Sequence, residues 1–221
     1  MKSLLRSLIL LFALTLAHAE NPAGAKLPVI TLPVRVHLVQ SETMPEMHTT
    51  LVEADIRRIF GKVNSVWAQA GIQFEFESIG PTHAVAPKPE TPTQSEYVRI
   101  KAMIPKERLS NGAIDVCYVK QVKPNGFYAG ELIVVKDTAS LREVPGGLDE
   151  PLPRVTSHEI GHALGLAHRQ DTTNLMASGT TGFSLNETEI ATARAKALAR
   201  PHKGGAPLPP AASDATPARG R

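Results

Sequence analysis

The chain predicts an α/β (α+β) fold, and three observations carry that reading. "LPVRVHLV" alternates Val34, Val36 and Leu38 against Arg35 and His37, the period of a half-buried strand. Val52, Ile56, Ile59, Phe60, Val63, Val66 and Trp67 then recur at helical spacing, so residues 52–67 form a long first helix with one apolar face. "IQFEFESI" returns to alternation, with Ile72, Phe74 and Phe76 set against Gln73, Glu75 and Glu77. Strand, helix and strand in succession begin a mixed domain.

The remaining elements follow in order. Gly71 ends the first helix. Residues 80–95 are a Pro/Thr-rich loop, and residues 96–109 fit neither period, with Pro105 breaking whatever forms there. "AIDVCYVKQV" and "GELIVVKD" read as two more strands, joined through the turn signal Pro124-Asn125-Gly126. A Gly/Pro-rich loop (144–153) leads into "HEIGHALGLAH". "SLNETEIATARAKALAR" is a closing helix, with Ser184 and Glu187 at capping-box spacing and basic residues before Pro201.

Both ends differ from this domain. Residues 1–19 have a basic start (Lys2, Arg6), an apolar run from Leu8 to Leu16, and Ala17-His18-Ala19 as a small-x-small cleavage site. That is the layout of a secretory signal peptide, and the run falls short of the ~20 residues of a membrane span. The expectation is an exported protein, periplasmic or secreted, with no stable membrane insertion and one domain over residues 28–200. The tail, 201–221, has a Pro/Ala/Gly composition that buries too little to fold, so it is expected to be disordered.

Composition excludes some chemistry. Cys117 is the only cysteine, so no intrachain disulfide forms. In its strand it reads as a buried inert thiol, with a reactive or metal-capping thiol as the alternative. The pI of 9.1 comes from the ends. Residues 194–221 carry six basic residues against Asp214, whereas residues 20–193 carry 16 basic against 20 acidic. No basic stripe with interleaved aromatics appears, so no nucleic-acid partner is expected.

The chemistry lies in "HEIGHALGLAH". In a helix, His158 and His162 stand one above the other on one face, and both imidazoles reach a single ion. Gly165 can take positive φ, stop the helix and reverse the chain, which returns His168 to the same ion. Three neutral imidazoles leave a fourth tetrahedral position for water, the mark of a catalytic Zn2+ site with one ion. Glu159 is turned ~100° from His158 around the helix. It is beside the ion without binding it, placed to take the water's proton and hand it to a leaving amine.

The segment resembles the metzincin superfamily of zinc metallopeptidases, whose pattern is H-E-x-x-H-x-x-G-x-x-H followed by a Met-turn. "NLMASG" supplies that methionine, and the spacing from His168 to Met176 is similar to matrixin-like members. The resemblance implies a metzincin-like catalytic domain: a twisted mixed sheet, a long first helix, an active-site helix and a C-terminal helix. It implies that Met176 forms a floor under the imidazoles, and that "GELIVVKD" is an edge strand pairing with an extended substrate; otherwise that segment is a core strand.

Departures limit what carries over. Arg169 follows the third histidine where matrixins usually show serine, so the subfamily stays open. Ser178 stands where astacin-like members place a tyrosine, and no cysteine-switch motif occurs. Residues 20–28 are too few for a folded prodomain. Asp171 and Asn174 either support the site or make an ordinary Asx-turn. His37, His48, His83 and His202 lack a partner at ligand spacing and read as surface residues.

The functional expectation is an exported zinc endopeptidase acting on an extended peptide or protein substrate. Its rivals are a zinc-bound peptide-binding module that cleaves nothing, and a zinc amidohydrolase acting on a non-peptide bond. Oligomeric state does not follow from these residues.

Overall fold

A computed structural model describes residues 27–86, 95–109 and 112–200. The expected signal peptide and C-terminal tail, with His202, lie outside the described residues. The strands are β1 (Ile30–Gln40), β2 (Ile72–His83), β3 (Ile114–Val119), β4 (Gly126–Tyr128) and β5 (Leu132–Lys136). The helices are α1 (Glu53–Trp67), α2 (Glu96–Met103), α3 (Pro151–Ala163) and α4 (Glu187–Leu198). One sheet runs in the order β2-β1-β3-β5-β4; every pairing is parallel except β4 with β5, which is antiparallel. The expected α/β class with a mixed sheet, a long first helix, an active-site helix and a C-terminal helix is the fold observed.

Each face of the sheet has its own core. Val34 and Val36 point to the face where Ile56, Ile59, Phe60, Val63 and Trp67 of α1 pack with Leu152, Val155 and Ile160 of α3. On the other face, Val39, Cys117, Val119 and Val134 meet Ile100 and Met103 of α2. Alternation along each strand divides the two sets. Edge-on contacts of Phe60 with Phe76 and Trp67 with Phe74 lock α1 over β2. Among the described residues, no helix is long and apolar enough to cross a membrane.

Several details depart from the sequence reading. The turn signal at Pro124 opens into β4, a three-residue strand that was not expected. "GELIVVKD" is therefore not an edge: β5 lies between β3 and β4, and β4 holds the edge position. Residues 96–103 are helical, and β2 continues to His83 into the expected loop.

The cap of α4 is also shifted. Ser184 is engaged elsewhere, its N–H donating to Thr173 O and its carbonyl accepting from Leu175 N–H. The capping box is instead Asn186 with Glu189: Asn186 Oδ1 accepts from Glu189 N at 2.9 Å and Glu189 Oε2 from Asn186 N at 2.9 Å. Asn186→Ala is expected to cost ~1 kcal/mol, the usual value of an N-cap. Thermal melting reads this as a drop of roughly 2–4 °C; an unchanged melting point would show that the cap is idle.

His37 is not a surface residue. It is 6% exposed on β1, with Nε2–H donating to Asp115 Oδ1 on β3 and Nδ1 facing Thr82 Oγ1 on β2, each at 2.9 Å. Its partners are 45 and 78 residues away in sequence. Cys117 is fully buried beside it in β3, and burial pushes its thiol well above the usual range. Such a thiol packs and does not react.

Candidate metal centre

Helix α3 carries the site because it is anchored at both ends. Pro151 opens it at a position that needs no N–H donor. Tyr118 Oη and Thr156 Oγ1, 2.8 Å apart, tie its middle to β3. Its C-terminus closes in a Schellman turn: Leu166 N–H donates to Gly161 O at 2.9 Å and Gly165 N–H to His162 O at 3.0 Å. Gly165 has φ +84°, which a side-chain-bearing residue rarely adopts. The chain reverses there and brings His168 back over the helix.

The three histidines meet at one point. Their Nε2 atoms are 3.2 Å (His158–His162), 3.1 Å (His162–His168) and 3.3 Å (His158–His168) apart. These contacts are not hydrogen bonds, at least between the first two rings. His158 Nδ1–H donates to Leu175 O at 2.8 Å and His162 Nδ1–H to Leu166 O at 2.9 Å. A neutral imidazole protonated at Nδ1 turns the lone pair of Nε2 toward the centre. Burial lowers the His158 pKa to about 3 and also lowers that of His162, so both rings stay unprotonated.

Converging lone pairs repel unless a cation lies between them. Nitrogens on a tetrahedral zinc with bonds of ~2.0–2.1 Å are ~3.3 Å apart, and the triangle has that size. The residues present therefore fit the ion. Among the described residues this is the one group of histidine, cysteine or acidic side chains found able to hold a metal.

Met176 is fully buried against the active-site helix. A Cβ at Gly161 would collide with its sulfur, so the helix backbone and the thioether are in direct contact. Asn174 positions the turn, its Oδ1 accepting from Met176 N–H at 2.7 Å. Asp171 makes the Asx-turn, accepting from Thr173 N–H at 3.0 Å.

Glu189 of α4 then connects the parts, and sequence reading missed it. Its carboxylate, 3% exposed, accepts from Asn174 Nδ2 at 2.8 Å and from Arg169 Nε at 2.7 Å. Burial works to raise its pKa, but these bonds and the Asn186 N–H outweigh it and hold the carboxyl below its usual range. The residue after the third histidine is thus an arginine because it reaches a carboxylate behind the Met-turn. The sequence signal was the Asn186/Glu189 box.

Glu159 faces the same cleft as the histidines, a cavity of about 790 Å³ that runs along β4. It is 5% exposed, and burial pushes its carboxyl up to about 8, opposed by the positive charge of Arg154. Arg154, one turn before His158 and 1% exposed, was also missed. Its Nε–H donates to Gly182 O at 2.6 Å and its Nη2–H to Ala177 O at 2.5 Å, clamping the segment after the Met-turn against α3. Ser178 lines the cleft beside it.

Fold and site together have the arrangement that the metzincin resemblance implies, with three imidazoles converging from the active-site helix and the turn after it. Residues 122–196 match the family described as Matrixin. The structure is similar to that of mirolysin, solved in complex with a compound, at TM-score 0.53 and 13% identity over 76% of this chain and 91% of that one. At that identity the likeness concerns the fold. The metalloproteinase-II of Bacteroides fragilis gives a TM-score of 0.47 at 16% identity, over 79% of this chain and 55% of that one. No curated protein matches the chain.

Proposed function

We propose that the protein is an exported zinc endopeptidase that cleaves an extended peptide or protein with Glu159 as general base. One observation carries the mechanism: a buried carboxylate follows the first of three converging imidazoles and opens into the same cleft. His158, His162 and His168 would hold zinc, which would supply Lewis-acid polarisation of a carbonyl and a lowered pKa of water, toward ~7. A cation at the three imidazoles would favour the ionised form of Glu159 against its burial, and the carboxylate takes a proton from the attacking water as the water's oxygen bonds to the scissile carbonyl carbon. The same carboxyl then gives that proton to the amide nitrogen as the C–N bond breaks, leaving a carboxylic acid and an amine. Leu166 O and Leu175 O keep two of the three rings facing the centre throughout. The substrate backbone adds along β4, the edge strand of the sheet, which lines the cleft.

A mixed peptide library tests the reading, together with metal analysis of the purified protein. The expected results are about one zinc per chain and cleavage of internal bonds. Peptide binding without cleavage would favour the binding-module alternative; hydrolysis confined to non-peptide amides would favour the amidohydrolase. Export rests on residues 1–19. Mass spectrometry of the extracytoplasmic protein should find an N-terminus near Glu20, and an intact Met1 in a membrane fraction would overturn that part.

A further inference from the structure

The β4 edge has two faces, and they differ in character. At Gly126 the strand abuts the active-site helix: a Cβ there would lie 2.8 Å from Val155 Cγ1 and 3.1 Å from Glu159 Cγ. One residue on, Phe127 points to the opposite face, as the strand period requires, and joins the second core with Ile100 and Met103. Tyr97 of α2 meets it there edge-on, ring centroids 4.6 Å apart at 63°. Phe127 is 8% exposed, but Tyr97 is 43% exposed, and both rings line the same cleft as His158 and Glu159.

Tyr97 is held in place rather than loosely attached. Ile100 and Met103 bury the inner side of α2. Lys101 reaches the β4–β5 turn, donating to Ala129 O at 3.2 Å and pairing with Glu131 at 3.2 Å. A large ring on a fixed helix, open to a cleft, with its edge satisfied by a neighbouring ring, is an apolar wall waiting for a third apolar group. A peptide strand added to β4 alternates as β4 does. Its side chains on the face of Gly126 lie over α3, and those on the face of Phe127 meet Tyr97.

We propose that Tyr97 and Phe127 form an apolar subsite that takes one aromatic or large aliphatic side chain of the bound peptide, on the strand face turned away from the metal-binding helix. The inference rests on the peptidase reading for the identity of the ligand, a peptide. Tyr97 then determines specificity and takes no part in the chemistry. Because β4 reaches Phe127 one residue after Gly126 beside Glu159, the selected position lies within about two residues of the scissile bond, at ~3.4 Å per residue.

The test uses a set of peptides in which one phenylalanine is moved along a backbone of small residues. Affinities are measured for zinc-loaded Glu159→Ala protein, alone and combined with Tyr97→Ala or Tyr97→Phe. The result expected is one position at which phenylalanine binds more tightly than alanine. That preference should fall roughly 5-fold with Tyr97→Ala, within the range of an aromatic pair, and persist with Tyr97→Phe. Absence of any preferred position, or a preference that survives Tyr97→Ala, overturns the subsite. Cleavage of the same peptides by the wild-type protein is scored separately. Binding that depends on Tyr97 without any cleavage would sink the peptidase reading and leave the subsite standing.

Discussion

Glu159→Ala should lower peptide cleavage by at least ~10²-fold, the low end of what a general acid–base group contributes, while leaving zinc content near one per chain. The substitution removes a carboxylate that is 5% exposed and leaves all three histidines in place, with the Nδ1 partners of His158 and His162 intact. His162→Ala is the contrasting variant. It leaves two imidazoles, which hold zinc poorly, so metal and activity should vanish together. Rate and metal content measured on both variants separate the two roles. Cleavage by Glu159→Ala at a rate comparable to wild type would falsify Glu159 as the base.

Gly182→Ala should be the most damaging small substitution outside the ligands. A Cβ at 182 would overlap the Thr172 carbonyl oxygen and the backbone of Thr173. Both are main chain, so no side chain can swing aside. Residues 172 and 173 lie between His168 and Met176, and Gly182 O is an acceptor of the Arg154 clamp. Overpacking of this kind costs ~1–3 kcal/mol and occasionally more. For a chain of this length that is a melting-point drop of roughly 2–12 °C, and zinc affinity should weaken because the third ligand's loop must shift. Gly61→Ala is the control with the opposite sign. Gly61 sits in the middle of α1 with nothing within 4 Å of a new Cβ, so alanine should stabilise by roughly 0.5–1 kcal/mol. Equal melting curves and zinc affinities for Gly182→Ala and wild type would show that the loop accommodates the methyl group.

What could be read from the sequence was what is local. The convergence of His158, His162 and His168 needs only a helical period and a glycine able to reverse the chain, both contained in one short segment. Helix α1 and strands β1, β2, β3 and β5 declared themselves through runs long enough to show a period. β4 did not, because three residues after a turn signal display no alternation. Without it the edge role that the resemblance implied for β5 had no other strand to fall to, and the alternative reading of β5 as a core strand is the one observed. His37 was misjudged because the groups that bury and bond it stand on two other strands. Arg154 and Glu189 were invisible for the same reason. A charged residue on a helix is read as solvated until the segment it clamps is known, and those segments come from elsewhere in the fold.

The three ligands span eleven residues of sequence, from His158 to His168. Closing so short a loop costs little entropy, so the unfolded chain also presents three imidazoles to zinc. Linkage then limits what the ion does for the fold. Zinc stabilises the native state only by the ratio of native to unfolded affinities. That ratio is set by what folding adds: the carbonyls of Leu166 and Leu175 that orient two rings, and the Schellman turn that fixes the third. The melting temperature should rise with zinc at first and then reach a plateau, once the metal is concentrated enough to occupy the denatured segment as well.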